Sequence, residues 1–188
     1  MTLSPARVVV LDRDGVINRD SPDFIKSAAE WQPLPGALQA IAQLKAAGFL
    51  VAVATNQSGL ARGLFDLDTL AGIHERMHSA VTQAGGRLDG IFFCPHGPDA
   101  DCDCRKPAPG LLLQVAERFA CGFEHMVFIG DSARDLAAAR AVGARPILVR
   151  TGNGAATAAG LAADDDVLVC DDLAAAARLL IAEGGKHS

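Results

Sequence analysis

The stretch "VVVLDRDGVIN" (residues 8–18) joins a short apolar run to two aspartates and a glycine. Three valines and a leucine bounded by charge have the composition of a buried β-strand, Val8–Leu11. Asp12 and Asp14 are two residues apart, so both side chains leave the same side of the chain if it stays extended. Gly15 then lets the backbone turn away. The stretch therefore predicts a core strand with two carboxylates at its carboxyl end.

Short β-branched runs and longer Ala/Leu-rich stretches alternate along the chain. This pattern predicts an α/β, Rossmann-like fold, a parallel sheet with helices on both faces. The predicted strands are Val8–Leu11, Leu50–Ala54, Ile91–Phe93, Val127–Ile129, Ile147–Val149 and Val167–Val169. The predicted helices are Ala37–Ala46, Leu67–Gln83, Gly110–Phe119, Ala133–Val142 and Leu173–Ile181. The segment "GAATAAGLAADDD" (residues 154–166) fits either a loop or a weak helix.

Length and charge restrict the function before any motif does. A chain of 188 residues, half of them apolar, suits one domain spanning residues 1–188 with a full core. The formal net charge of −5 argues against a surface that binds nucleic acid or an anionic membrane. The N-terminus lacks a signal-peptide pattern, and no run of about 18 apolar residues is present. We therefore expect a cytoplasmic protein, and a monomer because no long apolar stripe calls for a partner.

Polar residues follow four of the predicted strands, where ligands collect in an open parallel sheet. "TNQSG" (residues 55–59) brings the hydroxyl of Thr55 and two side-chain amides after the second strand. Lys106 follows the third strand, and "GDSARD" (residues 130–135) places Asp131 and Asp135 after the fourth. Carboxylates can hold a cation or attack phosphorus, while a hydroxyl and a lysine can hold phosphoryl oxygens. The four strand ends together predict phosphate chemistry.

A cluster of cysteines and one histidine occupies "CPHGPDADCDC" (residues 94–104), directly before Arg105 and Lys106. The close spacing of Cys94, His96, Cys102 and Cys104 matches a closed Cys₃His zinc site. The alternative is a loop in which cysteines crowd by chance. The predicted fold therefore includes a zinc-stapled loop, residues 94–104, that holds the two basic residues in place. Two further cysteines, Cys121 and Cys170, stand apart and fit partly buried apolar positions.

These four ordered motifs resemble the haloacid dehalogenase (HAD) superfamily of phosphatases. The resemblance rests on "DRDGV", Thr55, Lys106 and "GDSARD" and covers nearly the whole chain. Within the superfamily, "DRDGVIN", "TNQSGLARG" and "CPHGPDADCDCRKPAPG" are similar to the family of heptose-bisphosphate and histidinol-phosphate phosphatases. Many superfamily members carry an inserted cap domain. Here the spacers after the first two strands are too short for a large one, so a HAD-like fold without a large cap is expected.

The resemblance implies a role for each motif residue. Asp12 is the nucleophile that forms an aspartyl-phosphate, and Asp14 is the acid and later the base. Thr55 and Lys106 hold the phosphoryl oxygens. A Mg²⁺ ion is expected on Asp12, on the backbone carbonyl of Asp14 and on Asp131. Asp135 supports this site.

The expected substrate is a small sugar with two phosphates, a heptose bisphosphate that loses its 7-phosphate, as in nucleotide-activated heptose biosynthesis. Histidinol phosphate is the alternative substrate, and a zinc-stabilised scaffold without catalysis is an alternative from another class. Arg105 is expected to meet the second phosphate. The complete set of expected substrate contacts is Asp20, Asn56, Gln57, Ser58, Arg105 and Lys106.

Several other residues have both a structural and a functional interpretation. Arg62 either lines the site entrance or is solvated. His74 and His78 lie four apart on a predicted helix, but no third metal ligand is near them, so core or surface positions are favoured. Trp31 is expected to pack a loop. Residues 150–154, "RTGNG", form either a plain loop or a minor contact at the site.

Overall fold

The computed structural model describes residues 7–184, and these form a six-stranded sheet with helices around it. The strands are β1 Val8–Leu11, β2 Leu50–Asn56, β3 Gly90–Cys94, β4 Met126–Gly130, β5 Arg145–Val149 and β6 Leu168–Cys170. The helices are α1 Ala37–Ala46, α2 Leu67–Gln83, α3 Gly110–Phe119, α4 Ala133–Val142, α5 Gly154–Ala159 and α6 Leu173–Gly184. A 3₁₀ turn, Phe123–His125, precedes β4.

All neighbouring strands pair in parallel, in the order β3-β2-β1-β4-β5-β6. The chain first winds from β1 towards β3 and then crosses back to β4 on the other side of β1. Leu11 pairs with Val53 of β2 and with Ile129 of β4, so the chain leaves β1 between two parallel neighbours. This reversal makes the carboxyl end of β1 the crevice where ligands bind in such sheets. The predicted fold class is confirmed.

Alternate residues of β1 enter two different cores because side chains in a strand point to opposite faces. Val9 and Leu11 pack with α1, α2 and α6 on one face, whereas Val8 and Val10 pack with α3 and α4 on the other. All four are fully buried. Burial on both faces explains why β1 is a continuous apolar run rather than an alternating one.

The structure extends several predicted elements. The β2 strand continues through Thr55 to Asn56, so two of the expected site residues lie on the strand itself. The last strand is Leu168–Cys170, one residue later than expected. Of the two alternatives for residues 154–166, a short helix, α5, forms the first part. The final helix runs three residues beyond Ile181.

The connections that follow β1 and β2 contain no inserted domain. Residues 12–36, between β1 and α1, hold only isolated bridges from Asn18 to Asp14 and to Pro33, and residues 57–66 form turns. This confirms the expectation of a fold without a large cap. Among residues 7–184, no helix is long and apolar enough to cross a membrane.

Candidate active site

The carboxyl end of β1 places Asp12 and Asp14 in different surroundings. The amide of Asp12 donates to the Ile129 carbonyl (2.9 Å), which continues the pairing of β1 with β4. The Arg13 amide then donates to Asp12 Oδ1 (2.7 Å) and fixes the direction of that carboxylate. After Asp14 the chain turns, with the Gly15 amide donating to the Asn18 carbonyl (2.8 Å). The two carboxylates therefore have separate partners.

Three side chains donate hydrogen bonds to the Asp14 carboxylate. Arg13 donates from Nε (3.2 Å) and Nη2 (3.0 Å), Asn18 donates from Nδ2 (2.8 Å), and Gln57 donates from Nε2 (3.1 Å). The Arg13 side chain is only 1% exposed, so its charge acts on Asp14 with little screening by water. Trp31 is buried and donates through its indole to Asn18 Oδ1 (3.0 Å), which confirms that it packs a loop and shows that it supports Asn18. Asp14 is thus fixed in orientation.

Gly15 is required by a close approach of two loops. Its φ is 82°, and a Cβ at this position would lie 2.1 Å from Asp131 Oδ2. The Thr151 hydroxyl donates to the Gly15 carbonyl (2.7 Å), which joins the loop after β5 to the turn after β1. A side chain at residue 15 would therefore push Asp131 out of the site.

Lys106 is buried between the ends of three strands. Its Nζ lies 2.9 Å from Asp12 Oδ1 and 2.7 Å from Asp135 Oδ1, and it donates to the Ala54 carbonyl (2.9 Å). Burial alone would lower the pKa of Lys106, but the two aspartates outweigh this effect and raise it. The ammonium group is therefore charged and fixed beside Asp12, 3% exposed to solvent.

The end of β2 positions the backbone of Lys106. Asn56 Nδ2 donates to the Lys106 carbonyl (3.1 Å), and Asn56 Oδ1 accepts from the Lys106 amide (3.1 Å). Next to it, Gln57 Nε2 donates to Thr55 Oγ1 (2.8 Å) as well as to Asp14. The Thr55 hydroxyl keeps its hydrogen free to donate to a ligand, because Gln57 uses its oxygen as an acceptor.

Asp131 and Asp135 frame the start of α4. Ser132 is the N-cap, and its amide (3.0 Å) and hydroxyl (2.6 Å) both donate to Asp135 Oδ2. Asp131 Oδ2 accepts from the Asn153 amide (2.8 Å) and from Asn153 Nδ2 (3.3 Å). Burial raises the pKa of Asp131 to about 6, although the Asn153 amide opposes this shift. Residues 150–154 thus contribute a contact at the site through Asn153.

Asp12, Asp131 and Asp135 fit a divalent cation. One oxygen from each lies within 4.8 Å of the others, and hard carboxylate oxygens are the ligands that Mg²⁺ prefers. Burial raises the pKa of Asp12 to about 8, with Lys106 opposing and the neighbouring carboxylates adding to the shift. A cation here would remove the cost of ionising three crowded carboxylates. The expected ligation by the Asp14 carbonyl stays a prediction.

A cavity of about 270 Å³ opens above these groups. Asp20 lies at its rim, exposed, and accepts from Asn153 Nδ2 (3.1 Å). Ser58 and Arg105 also line it, and Arg105 Nη1 donates to the His96 carbonyl (3.2 Å). The structure therefore brings all the expected catalytic and substrate-contact side chains to one cavity. They are Asp12, Asp14, Asp20, Thr55, Asn56, Gln57, Ser58, Arg105 and Lys106.

The four predicted zinc ligands converge beside this cavity. Cys94 ends β3, and His96, Cys102 and Cys104 follow in the next loop, with ligand atoms within 4.8 Å of one another. The Cys94–Cys102 sulfurs are 3.9 Å apart, and His96 Nδ1 lies 3.5 and 3.3 Å from the sulfurs of Cys94 and Cys104. A tetrahedron with metal–sulfur distances of about 2.3 Å has edges of about 3.8 Å. The Cys94–Cys104 pair is closer, at 3.1 Å.

The chemistry of the cluster also fits a cation. Burial, together with hydrogen bonds that the Cys104 thiol makes to Cys94 and Cys102, raises the pKa of Cys104 to about 12. Three thiolates this close repel one another unless a metal neutralises them. Arg105 and Lys106 come directly after Cys104, so whatever fixes the cluster also fixes the start of the segment that carries these two basic residues.

Sequence reasoning missed two basic residues that line the cavity, Arg13 and Arg134, and also Asn18, which supports Asp14 from outside the lining. Arg13 and Asn18 stand inside the "DRDGVIN" motif, so the motif could have signalled them, but their pairing with Asp14 depends on the turn. Arg134 stands inside "GDSARD" and lines the cavity. Arg62 does not itself line the cavity. Its guanidinium carbon lies 5.7 Å from the centre of the Phe24 ring, and Phe24, at a φ of 66°, does line the cavity.

The two helix histidines do not form a metal group among the residues that the structure describes. His74 packs edge-on against Phe93, with ring centroids 5.9 Å apart. Burial, followed by the nearby Arg13 charge, lowers the pKa of His74 to about 4, so it is neutral. His78 is exposed. The core and surface positions favoured from the sequence are confirmed.

The side chains at the four strand ends define a hydrolase of the HAD class. They are two aspartates after β1, a hydroxyl on β2, a lysine after β3 and two aspartates after β4. Residues 103–176 match the HAD-hydrolase-like family. The chain is 53% identical over 175 residues to a D-glycero-β-D-manno-heptose-1,7-bisphosphate 7-phosphatase of Pseudomonas putida, which covers 93% of this chain and 99% of the relative. The enzyme of that name from Bordetella bronchiseptica is 52% identical, covering 94% and 99%. The chain belongs to the D-glycero-β-D-manno-heptose-1,7-bisphosphate 7-phosphatase family.

Solved structures agree with this assignment. The D,D-heptose 1,7-bisphosphate phosphatase of B. bronchiseptica, complexed with magnesium and phosphate, has a TM-score of 0.91 and 52% identity, and covers 94% of this chain and 99% of its own. The D,D-heptose 1,7-bisphosphate phosphatase of Burkholderia thailandensis has a TM-score of 0.74 and 44% identity, with coverage of 93% and 98%. The resemblance drawn from the motifs is confirmed.

Proposed function

We propose that this protein is a Mg²⁺-dependent phosphatase that removes the 7-phosphate of D-glycero-β-D-manno-heptose 1,7-bisphosphate. The observation that carries the proposal is the position of Lys106 Nζ, 2.9 Å from Asp12 in the cavity at the carboxyl end of β1. The names of those relatives supply the substrate and its β anomer. The magnesium and phosphate in the B. bronchiseptica structure support the same metal here.

In the first step, an Asp12 oxygen attacks phosphorus and the bond from phosphorus to the sugar oxygen breaks. A bound Mg²⁺ supplies positive charge that shields the phosphoryl oxygens from the anionic nucleophile. Lys106 and the Thr55 hydroxyl donate to those oxygens as charge moves onto them. Asp14 gives its proton to the departing sugar oxygen, which leaves as the alcohol. The product of the step is an aspartyl-phosphate on Asp12.

In the second step, water cleaves this intermediate. Asp14, now ionised, takes a proton from the attacking water, and the bond from phosphorus to Asp12 breaks. Inorganic phosphate leaves, and both aspartates regain their starting protonation. The hydrogen bonds from Arg13, Asn18 and Gln57 keep Asp14 in one orientation through both steps, and the ionised form accepts them best.

The surrounding residues divide between substrate contact and support. Asn56 is committed to the Lys106 backbone, so its role is to position that lysine. Asp20 and Ser58 remain available to sugar hydroxyls, and Arg105 to the second phosphate. Zinc on Cys94, His96, Cys102 and Cys104 holds the loop that ends at Arg105. We place this single-domain enzyme in the cytoplasm as a monomer that acts on a small molecule and binds neither nucleic acid nor membrane.

A substrate panel tests the function. The β and α anomers of the heptose bisphosphate, histidinol phosphate and fructose 1,6-bisphosphate would be compared by phosphate release under steady-state conditions. We expect kcat/KM to be highest for the β anomer, by at least about tenfold, since one well-placed contact gives that discrimination. Asp12→Asn is the inactive control. A higher kcat/KM for histidinol phosphate would overturn the assignment of substrate while leaving the chemistry intact.

A further inference from the structure

Four basic side chains line the cavity, and three of them already have protein partners. Arg13 is bound to Asp14, Lys106 to Asp12 and Asp135, and Arg105 to the His96 carbonyl. Arg134 is the fourth. Its side chain is exposed, and among residues 7–184 no hydrogen bond or ion pair engages it.

The position of Arg134 is unfavourable for a helix. It is the second residue of α4, after the N-cap Ser132, and the first turn of a helix carries the positive end of the macrodipole. Acidic residues are preferred there and basic ones belong in the last turn, where α4 has Arg140. Arg134 therefore gains nothing from the helix dipole, and its guanidinium keeps its hydrogen-bond donors for a ligand in the cavity.

The cavity also needs another cation. Five carboxylates line it, from Asp12, Asp14, Asp20, Asp131 and Asp135. Mg²⁺ and Lys106 serve the phosphate that reacts, and a second phosphate entering the same cavity would face this negative charge. A guanidinium is planar and donates two parallel hydrogen bonds to phosphate, which suits an anchor for a group that does not react.

We propose that Arg134 binds the phosphate that is not cleaved and so selects a bisphosphate over a monophosphate. The inference rests on the proposed function, because it assigns a residue to the second phosphate of that substrate. Arg105, on the zinc loop, and Arg134, on α4, would hold this phosphate from two different elements.

Steady-state kinetics of Arg134→Gln would test this with two substrates, the heptose 1,7-bisphosphate and the same heptose carrying only the 7-phosphate. We expect KM for the bisphosphate to rise about tenfold with kcat nearly unchanged, because a charge-assisted hydrogen bond is lost from bound substrate and transition state alike. The monophosphate should show parental constants. Arg134→Lys should recover part of the lost affinity for the bisphosphate, since lysine keeps the positive charge but lacks the planar guanidinium with its two parallel donors.

Arg118→Gln is the matched control, because it removes another exposed arginine, on α3 and outside the cavity lining. It should leave both substrates unaffected. Parental kcat/KM of Arg134→Gln on the bisphosphate, or an equal loss on both substrates, would overturn the role of Arg134. A parent enzyme that does not hydrolyse the bisphosphate would instead overturn the proposed function, so the two failures are distinct.

Discussion

Two aspartates with one residue between them, Asp12 and Asp14, have different surroundings, which supports the different roles proposed for them. Asp12 faces Lys106 and the acidic pair after β4, so it is placed for attack beside a cation. Asp14 faces Arg13, Asn18 and Gln57, which hold it on the turn. Their order in "DRDG" decides which one lies deeper in the site.

Replacing each aspartate by asparagine should stop the reaction at a different point. Asp12→Asn removes the nucleophile, so phosphoenzyme and turnover should both be lost. Asp14→Asn keeps Asp12 and substrate binding, but kcat should fall about 10²–10⁴-fold because acid–base help is lost. Acid quenching with radiolabelled substrate, together with steady-state rates, measures both quantities. Near-parental turnover by Asp12→Asn would rule out a covalent mechanism.

The loop after β3 joins the cysteine cluster to the residues that line the cavity. Cys94 ends the strand, Cys104 precedes Arg105, and the Lys106 backbone is clamped by Asn56 of β2. Cys94 belongs to β3, whereas His96, Cys102 and Cys104 lie outside the sheet. Loss of zinc should therefore affect catalysis more than folding.

Cys102→Ala should release zinc and lower kcat/KM, on the order of a hundredfold if Lys106 moves by about 1 Å. Metal content, kinetics and far-UV circular dichroism check the three parts of this expectation. Cys121→Ala is the control, since Cys121 lies outside the cluster and should leave zinc in place. Parental activity in a folded, zinc-free Cys102→Ala protein would show that zinc has no positioning role.

Asp89 directly precedes β3, and its carboxylate, which is 5% exposed, accepts hydrogen bonds from three other residues. It accepts from Lys45 Nζ (2.6 Å), the Val51 amide (2.8 Å) and Arg87 Nε (3.0 Å). Burial alone would raise the pKa of Asp89, but these hydrogen bonds outweigh it and lower the pKa below 3.8. The carboxylate thus ties α1 and β2 to the start of β3.

Asp89→Asn should lower the free energy of unfolding by about 1–2 kcal/mol at neutral pH. Because the folded pKa lies below the unfolded value of 3.8, Asp89 stabilises the fold above that pH and loses this effect as the pH falls below it. The difference in free energy of unfolding between parent and variant, measured by urea denaturation, should therefore decrease as the pH is lowered. A difference that stays constant at every pH would mean that ionisation of Asp89 is not its source.

The sheet brings chemical groups from the whole chain to one edge. Residues 12, 55, 106 and 131 are far apart in sequence, but each follows or ends a parallel strand, and these four strands lie side by side. With no cap domain above residues 12–36, the cavity opens directly to solvent and admits a small phosphorylated substrate.

Removal of Mg²⁺ should abolish activity reversibly. EDTA treatment followed by added Mg²⁺ should restore the parental rate, while zinc resists the same brief treatment because four protein ligands enclose it. Mg²⁺ should also raise the thermal midpoint, since it binds only the folded arrangement of Asp12 and Asp131. Asp131→Asn should lose most of that increase. Full activity in metal-free buffer would contradict the mechanism.

The local pattern predicted the fold class, six strands, five helices and the groups at the strand ends. Core strands are continuous apolar runs because both faces are buried, and this signal is local. The convergence of the cysteine cluster was equally predictable, because its four side chains are closely spaced in the sequence. Zinc binding by the cluster stays a prediction. The ends of the strands and helices were harder to predict. The β2 strand, for example, continues to Asn56 because β3 pairs with it there.

The pairings inside the site came from the tertiary structure. Asn56 and Lys106 are 50 residues apart, yet each satisfies the other's hydrogen bonds. Gln57 reaches Asp14, and Asn153 reaches Asp131, through turns whose geometry no local pattern specifies. Arg134 lines the cavity because Ser132 starts the helix where it does. Spacing along a chain fixes which residues share a strand or a helix turn, whereas a hydrogen bond needs two groups within about 3 Å, and only the packed fold sets that distance.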